Sequence, residues 1–309
     1  VVSKSTTMKV ASLNGIPSSS MAICPFDEFV MVRNYRAART REAASDRFRL
    51  VATDGAPDGW LDDYSREGQG TNGKTGIVFV HGFTGSPASM RPWAHYFEAR
   101  GFAIRVPRIP GHGTRWQDLN EVRWQEWPKK VEEEVDSLMP TCNRIFIFGL
   151  SMGGANTLHV AASLATRTGG EKLAGIVLVN PMIHIPGVRI KFGPIIARFV
   201  KGLPSVGDDI KKPGVDEYGY DVLPTRGVLQ LQKFLKITRS RLPDVKIPLL
   251  LFHSVDDHVL PVSNTEIIMA EVGSEAKSRI ELTNSYHVAT LDYDAAIIFE
   301  RSLDFVERN

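Results

Sequence analysis

Residues 144–165, RIFIFGLSMGGANTLHVAASLA, run from a string of β-formers into a helical stretch, with one serine between two glycines at the junction. A lone G-x-S-x-G is weak: at average glycine usage it arises by chance in roughly one chain in ten of this length. Its flanks give it weight. A buried strand that passes at once into a helix must turn sharply at Ser151. Gly149 and Gly153 remove the Cβ atoms that would collide as strand and helix close up. The turn would hold the Ser151 hydroxyl out at a sheet edge, over a helix N-terminus that favours developing negative charge.

The rest of the chain supplies the sheet. GIVFVHG (76–82), FAIRVP (102–107), RIFIFG (144–149), AGIVLVN (174–180), IPLLLFH (247–253) and SRIELT (278–283) read as strands. Continuous apolar runs of this kind suit strands buried on both faces. Ser86 is a good N-cap with Pro87 in the first helical position, and Met90, Trp93, Ala94 and Phe97 recur at helical spacing before Gly101. Trp124, Trp127, Val131, Val135 and Leu138 form a second helical stripe, and Ala295, Ile298, Phe305 and Val306 a third. This alternation predicts an α/β fold, a mostly parallel central sheet with helices on both faces. Residues 181–246 are too many for one crossover. They read as a cap inserted over the carboxyl edge of the sheet, where open α/β folds bind ligands. The expected organisation is an N-terminal extension over 1–60, partly helical (27–50) or disordered, a core over 61–180 and 247–309, and a cap or lid over 181–246.

Composition narrows the function. A net charge of +2 gives no pull toward nucleic acid, and no stretch of about 18 apolar residues exists to span a membrane. The first twenty residues lack the apolar centre of a secretory signal. The two cysteines, Cys24 and Cys142, form neither a metal-like spacing nor a disulfide framework. A reduced, cytoplasmic setting without metal or cofactor is expected.

A serine needs a base within hydrogen-bond reach to act as a nucleophile. In this fold the acid and then the histidine follow the serine, which leaves His184, His253, His258 and His287 of the eight histidines. His184 opens the insertion and His253 ends a strand. His287, in NSYHVATL, lies between the last strand and the last helix, where a side chain can reach across the sheet edge. For the acid, HSVDDHVLP offers Asp256 and Asp257, with Asp257 favoured because the turn before Pro261 leaves it nearer the strand's carboxyl edge. The acid fixes the imidazole tautomer and stabilises the imidazolium. The backbone N–H groups of Met152, after the nucleophile, and of Phe83, in HGFTGSP, are the expected oxyanion donors. His81 is expected to support that loop.

VFVHGFTGSPASMRPWA, PRIPGHGT, GLSMGG, DDHVLP and NSYHVATLDYD, in this order, resemble the bacterial monoacylglycerol lipases and related small carboxylesterases of the α/β-hydrolase family. The resemblance spans residues 74–309. It implies the α/β-hydrolase fold, Ser151, Asp257 and His287 as the triad, Phe83 and Met152 as the oxyanion hole, and no cofactor. It also places on Glu217 a cap glutamate that contacts a glycerol head group, and on Val206 an apolar gatekeeper. Ile190, Phe192, Ile195, Ile196 and Phe199 are expected to line an acyl tunnel or to pack the lid. The expected reaction is hydrolysis of carboxylic esters with an apolar chain, monoacylglycerol-like, through an acyl-enzyme on Ser151. Arg189, Lys191, Arg198 and Lys201 interleave with those apolar residues and keep two further ideas open: an anionic half-ester substrate, such as a monoalkyl phthalate, and transient contact with a lipid surface. A non-catalytic ligand-binding protein is the alternative from another class. Self-association is left open.

Overall fold

The computed structural model describes residues 55–185, 200–205 and 208–309. In chain order these form β1 (Tyr64–Arg66), β2 (Thr75–Val80), α1 (Arg91–Glu98), β3 (Ala103–Val106), α2 (Glu126–Leu138), β4 (Arg144–Leu150), α3 (Met152–Leu164) and β5 (Leu173–Val179). There follow β6 (Gly202–Pro204), β7 (Val222–Pro224), α4 (Thr225–Ser240), β8 (Leu249–Ser254), α5 (Ser263–Glu271), β9 (Lys277–Leu282) and α6 (Ala295–Arg308). The expected helix at 27–50 lies outside the described residues, as do Ile190, Phe192, Ile195, Ile196, Phe199 and Val206. No helix among the described residues is long and apolar enough to cross a membrane.

Seven strands make the main sheet in the order β1-β3-β2-β4-β5-β8-β9. Every pairing is parallel except that of β1 with β3. The apolar runs are buried on both faces because alternate residues serve two cores. On β2, Val78 and Val80 join one core, and Ile77 and Phe79 the other. Trp127 and Val131 of α2 and Leu158 of α3 cover the first face. Trp93 and Phe97 of α1, with Ile298 and Val306 of α6, cover the second. There the Trp93 indole stacks on Phe148 at 4.8 Å, and Phe79 meets both rings edge-on at 5.6 and 5.2 Å. Helix α3 is buried at every residue but Ser163, the state of a helix apolar on all sides.

Two features were not anticipated. Strand β1 is three residues long and its Ser65 and Arg66 are exposed, so it carries no apolar alternation; a short, charged strand is how a sheet edge is blunted. Within the insertion, β6 and β7 pair antiparallel in a separate two-stranded sheet, with Pro204 and Pro224 at their ends obscuring the strand signal. The start of the first helix is also tighter than expected. Ser86 accepts from Ala88 N at 3.3 Å, but one 3-10 turn, Pro87–Met90, precedes α1.

The order of the strands reverses at β2, which has β3 on one side and β4 on the other. The loop after β2 and the turn after β4 therefore flank one crevice at the carboxyl edge.

Candidate active site

Ser151 sits between β4 and α3 with φ 57° and ψ −118°, a backbone state that is strained for any residue with a Cβ. Neighbouring glycines make the turn possible. A Cβ on Gly153 would overlap Val80 O and lie 2.6 Å from Val80 C and 2.7 Å from His81 O; one on Gly149 would lie 2.5 Å from Gly153 C. The elbow is fastened on its other side to the end of β5: Ser151 N donates to Val179 O, and Met182 N to Ser151 O, each at 3.0 Å.

The loop after β2 runs close to the serine. A Cβ on Gly82 would lie 3.2 Å from Ser151 Cβ. His81 orients this loop: its Nδ1–H donates to Gly82 O at 2.9 Å while its Nε2 accepts from Ile109 N at 3.1 Å. Complete burial, aided by His112, pushes His81 down to about 3, so it keeps that neutral tautomer. In a trans peptide the carbonyl and the following N–H point opposite ways. Pinning Gly82 C=O thereby also aims Phe83 N–H. Among the described residues, the backbone N–H groups of Phe83 and Met152 donate to no acceptor. Two unspent donors thus stand beside the Ser151 elbow, one at the N-terminus of α3.

His287 lies on the loop between β9 and α6, and its Nδ1–H donates to Asp257 Oδ2 at 2.8 Å. The two side chains are 8% and 2% exposed. Asp257 follows β8, and its other oxygen accepts from Val259 N and Leu260 N, both at 2.8 Å. Burial alone would raise the Asp257 carboxyl, but the His287 charge and these hydrogen bonds hold it below the usual carboxylate range. Burial likewise works against a charged imidazole at His287, yet Asp257, with help from Asp209 and Glu217, holds His287 above its ordinary value. Asp256 is turned outward, its side chain 53% exposed and 3.8 Å from Lys211 Nζ. The other late histidines are engaged elsewhere: His184 with Ser263 at 2.8 Å, His253 with Thr265 at 3.3 Å and His258 with Asp209 at 2.8 Å. Among the described residues the Ser151 hydroxyl makes no hydrogen bond of its own.

Asn180 went unnoticed in the sequence. It directly follows β5 at φ 43°, and its amide donates to His287 O at 2.7 Å and Ser254 Oγ at 2.9 Å, and accepts from Ser254 N at 2.7 Å. It ties the loop that carries His287 to β5 and β8. A polar residue closing an apolar strand was the available signal, since Asn tolerates positive φ better than most side chains.

Glu217 lies along the loop after β2. Its carbonyl accepts from Ser86 Oγ at 3.0 Å, and Tyr220 N donates to Thr84 O at 2.8 Å. A Cβ on Gly85 would lie 3.1 Å from Glu217 Oε2. The residue is half-buried. Burial, then the charge of Asp208, pushes its carboxyl up to about 7. Phe83 packs edge-on to Trp127 at 6.0 Å.

A family model described as serine aminopeptidase, S33 matches residues 71–294. A thermostable monoacylglycerol lipase of Bacillus sp. (strain H-257) is 40% identical over 240 residues, 77% of this chain and 92% of the relative. The chain belongs to this family of α/β-hydrolases. A carboxylesterase of Bacillus subtilis (strain 168) is 23% identical to the hydrolase over 239 residues, 76% of this chain and 94% of that one. Among solved structures, a metagenome-derived lipolytic enzyme superposes with a TM-score of 0.75 at 34% identity, covering 81% of this chain and 98% of that one. A monoacylglycerol lipase of Paleococcus ferrophilus, at 19% identity and TM-score 0.63 over 79% of this chain and 97% of that one, shares the fold. The hydrolase is a carboxylic ester hydrolase of the monoacylglycerol lipase and small carboxylesterase group. These relatives do not favour a non-catalytic binding role.

Proposed function

We propose that the hydrolase cleaves monoacylglycerol-like esters through an acyl-enzyme on Ser151, with His287 as general base and acid and Asp257 as its orienting acid. The observation that carries this reading is the buried Asp257–His287 pair, 2.8 Å apart, at the sheet edge that also bears the Ser151 elbow and two unspent amides. Because His287 Nδ1–H is committed to Asp257, Nε2 is the free, basic nitrogen. As substrate enters, Nε2 takes the Ser151 proton and Oγ adds to the ester carbonyl. The N–H groups of Phe83 and Met152 receive the oxyanion. Collapse breaks the C–O bond, and His287 returns the proton to the departing alcohol. Water, deprotonated by His287, then adds to the acyl-enzyme and releases the acid and Ser151. Each oxyanion donor of this kind contributes about 3–4 kcal/mol to the transition state.

The acid limb of kcat/KM follows from the electrostatics. The base works only when neutral, and the Asp257 charge holds His287 above 6.5. Activity is therefore expected to fall as pH drops, with a midpoint above 6.5. A pH–rate profile on a neutral p-nitrophenyl ester, whose acyl part does not titrate, checks this; a midpoint well below 6.5 would remove His287 from the role.

Glu217 supports a polar, uncharged head group. Carboxylates at Asp208, Asp216 and Glu217 act on one another in this part of the insertion, which suits the hydroxyls of a glycerol and opposes an anionic half-ester. Of the basic residues that motivated the half-ester reading, Arg189, Lys191 and Arg198 lie outside the described residues. Replacing Glu217 with Ala is expected to raise KM for a monoacylglycerol about tenfold, the worth of a hydrogen bond to a charged group. KM for a p-nitrophenyl ester of the same acyl chain should stay the same. Faster turnover of an anionic monoester than of a monoacylglycerol of equal chain length would overturn the substrate reading. Transient contact with a lipid surface and a cytoplasmic location complete this proposal.

A further inference from the structure

Residues 208–212 of the insertion form a strap across the two loops that carry the acid and the base. Asp209 Oδ2 accepts from His258 N at 3.2 Å and from His287 N at 3.1 Å, while Oδ1 meets His258 Nδ1 at 2.8 Å. The backbone takes part as well: Val288 N donates to Asp209 O at 3.1 Å. The Asp209 side chain is only 10% exposed. From the opposite direction, Asp292, just after the base's loop, accepts from Lys211 N at 2.7 Å, Lys212 N at 3.0 Å and Tyr286 N at 3.0 Å. One oxygen of Asp209 thus holds both the amide that follows Asp257 and the amide of His287 itself.

We propose that Asp209 is a positioning residue for the Asp257–His287 pair: from the insertion, it fixes the separation of the two loops so that acid and base stay in hydrogen-bond contact. This inference rests on the reading of His287 as the base. The geometry gives Asp209 a task that the general stability of the cap would not need, since its two amide contacts fall on the residue beside the acid and on the base. Its charge also bears on the imidazole. His287 is faced by Asp257 from the loop after β8 and by Asp209 and Glu217 from the insertion. His258 faces Asp209 in turn, and Lys211 is turned toward Asp256.

The test compares Asp209→Ala, Asp209→Asn and His287→Ala in the full chain, with kcat, KM and pH profiles on a neutral p-nitrophenyl ester. Asp209→Ala releases both loops, and a displacement of about 1 Å at the reacting groups lowers turnover roughly 100-fold; kcat should fall by at least about tenfold with KM nearly unchanged. Asp209→Asn keeps the shape and one acceptor oxygen. It should recover much of kcat, yet move the acid limb of kcat/KM to lower pH by a few tenths of a unit, because a charge favouring the imidazolium has gone. A residue that merely stabilised the cap would not shift that limb. Wild-type kcat and an unmoved acid limb in both variants would overturn the inference. If Asp209→Ala does not fold, Asp209→Asn decides it through the acid limb alone. His287→Ala separates the two readings: substantial activity in that variant removes the ground for both, whereas an inactive His287→Ala beside wild-type kcat and an unmoved acid limb in the Asp209 variants that fold overturns only the role of Asp209.

Discussion

Ser151→Ala is expected to abolish ester turnover, lowering kcat by roughly 10⁴-fold or more, the scale seen when a triad nucleophile is removed. The loss should come without a loss of fold. Ala carries the same Cβ into the same φ 57°, ψ −118° backbone, and among the described residues the Ser151 hydroxyl has no hydrogen bond to forfeit. Thermal melting of the variant should match the parent, and a fluorophosphonate probe should label only the parent. Ser151→Gly sharpens the point. It should be equally inactive but more stable than Ser151→Ala, because strain of about 1–3 kcal/mol is relieved, less the added freedom of glycine in the unfolded chain. Retained turnover above about one hundredth of the parent's would place the nucleophile elsewhere.

Gly153→Ala should be the most damaging single methyl addition in the core. The new Cβ would overlap Val80 O and press on Val80 C and His81 O. These are backbone atoms of β2 and its exit, hydrogen-bonded to β4, and cannot rotate away as a side chain can. Helix α3 would have to lift from the sheet, emptying contacts along an element that is buried at nearly every residue. A loss beyond about 4 kcal/mol, in the far tail of single substitutions, is expected from denaturant unfolding. Gly214 provides the control. It has φ 75° and nothing within 4 Å of its Cβ position, so Gly214→Ala should lose only about 1 kcal/mol of stability. Similar stabilities for the two variants would show that the close approach of α3 to β2 is not what Gly153 serves.

The central sheet was legible because its strands are buried on both faces, so they stand out as apolar runs such as RIFIFG. Where burial is partial the signal fades. β1 has a half-buried tyrosine followed by two exposed residues, and only its pairing with Ile104, Arg105 and Val106 makes it a strand. The candidate site divides in the same way. Ser151 could be found because its turn requires glycines at fixed offsets, and His287 because chain order leaves few histidines after the serine. Spacing separated Asp257 from Asp256 only softly; the structure turns Asp257 inward to His287 and Asp256 toward solvent. Asn180 showed only as a polar residue at the close of an apolar run, and Asp209 not at all. Their partners are backbone groups 74 or more positions away or 49 and 78 positions away, and no local pattern records a contact formed only by the tertiary fold.

Through the strap at 208–212 the segment between β5 and β8 also holds the loop of His287. Exchanging 181–246 for a foreign segment would take away the carboxylate that holds that loop, and would leave Asp292 without two of its amide donors. A chimera of that kind should turn over poorly even the esters its new segment admits. On the proposed role of Asp209, the segment expected to select the ester and the competence to cleave it would be inherited as one piece.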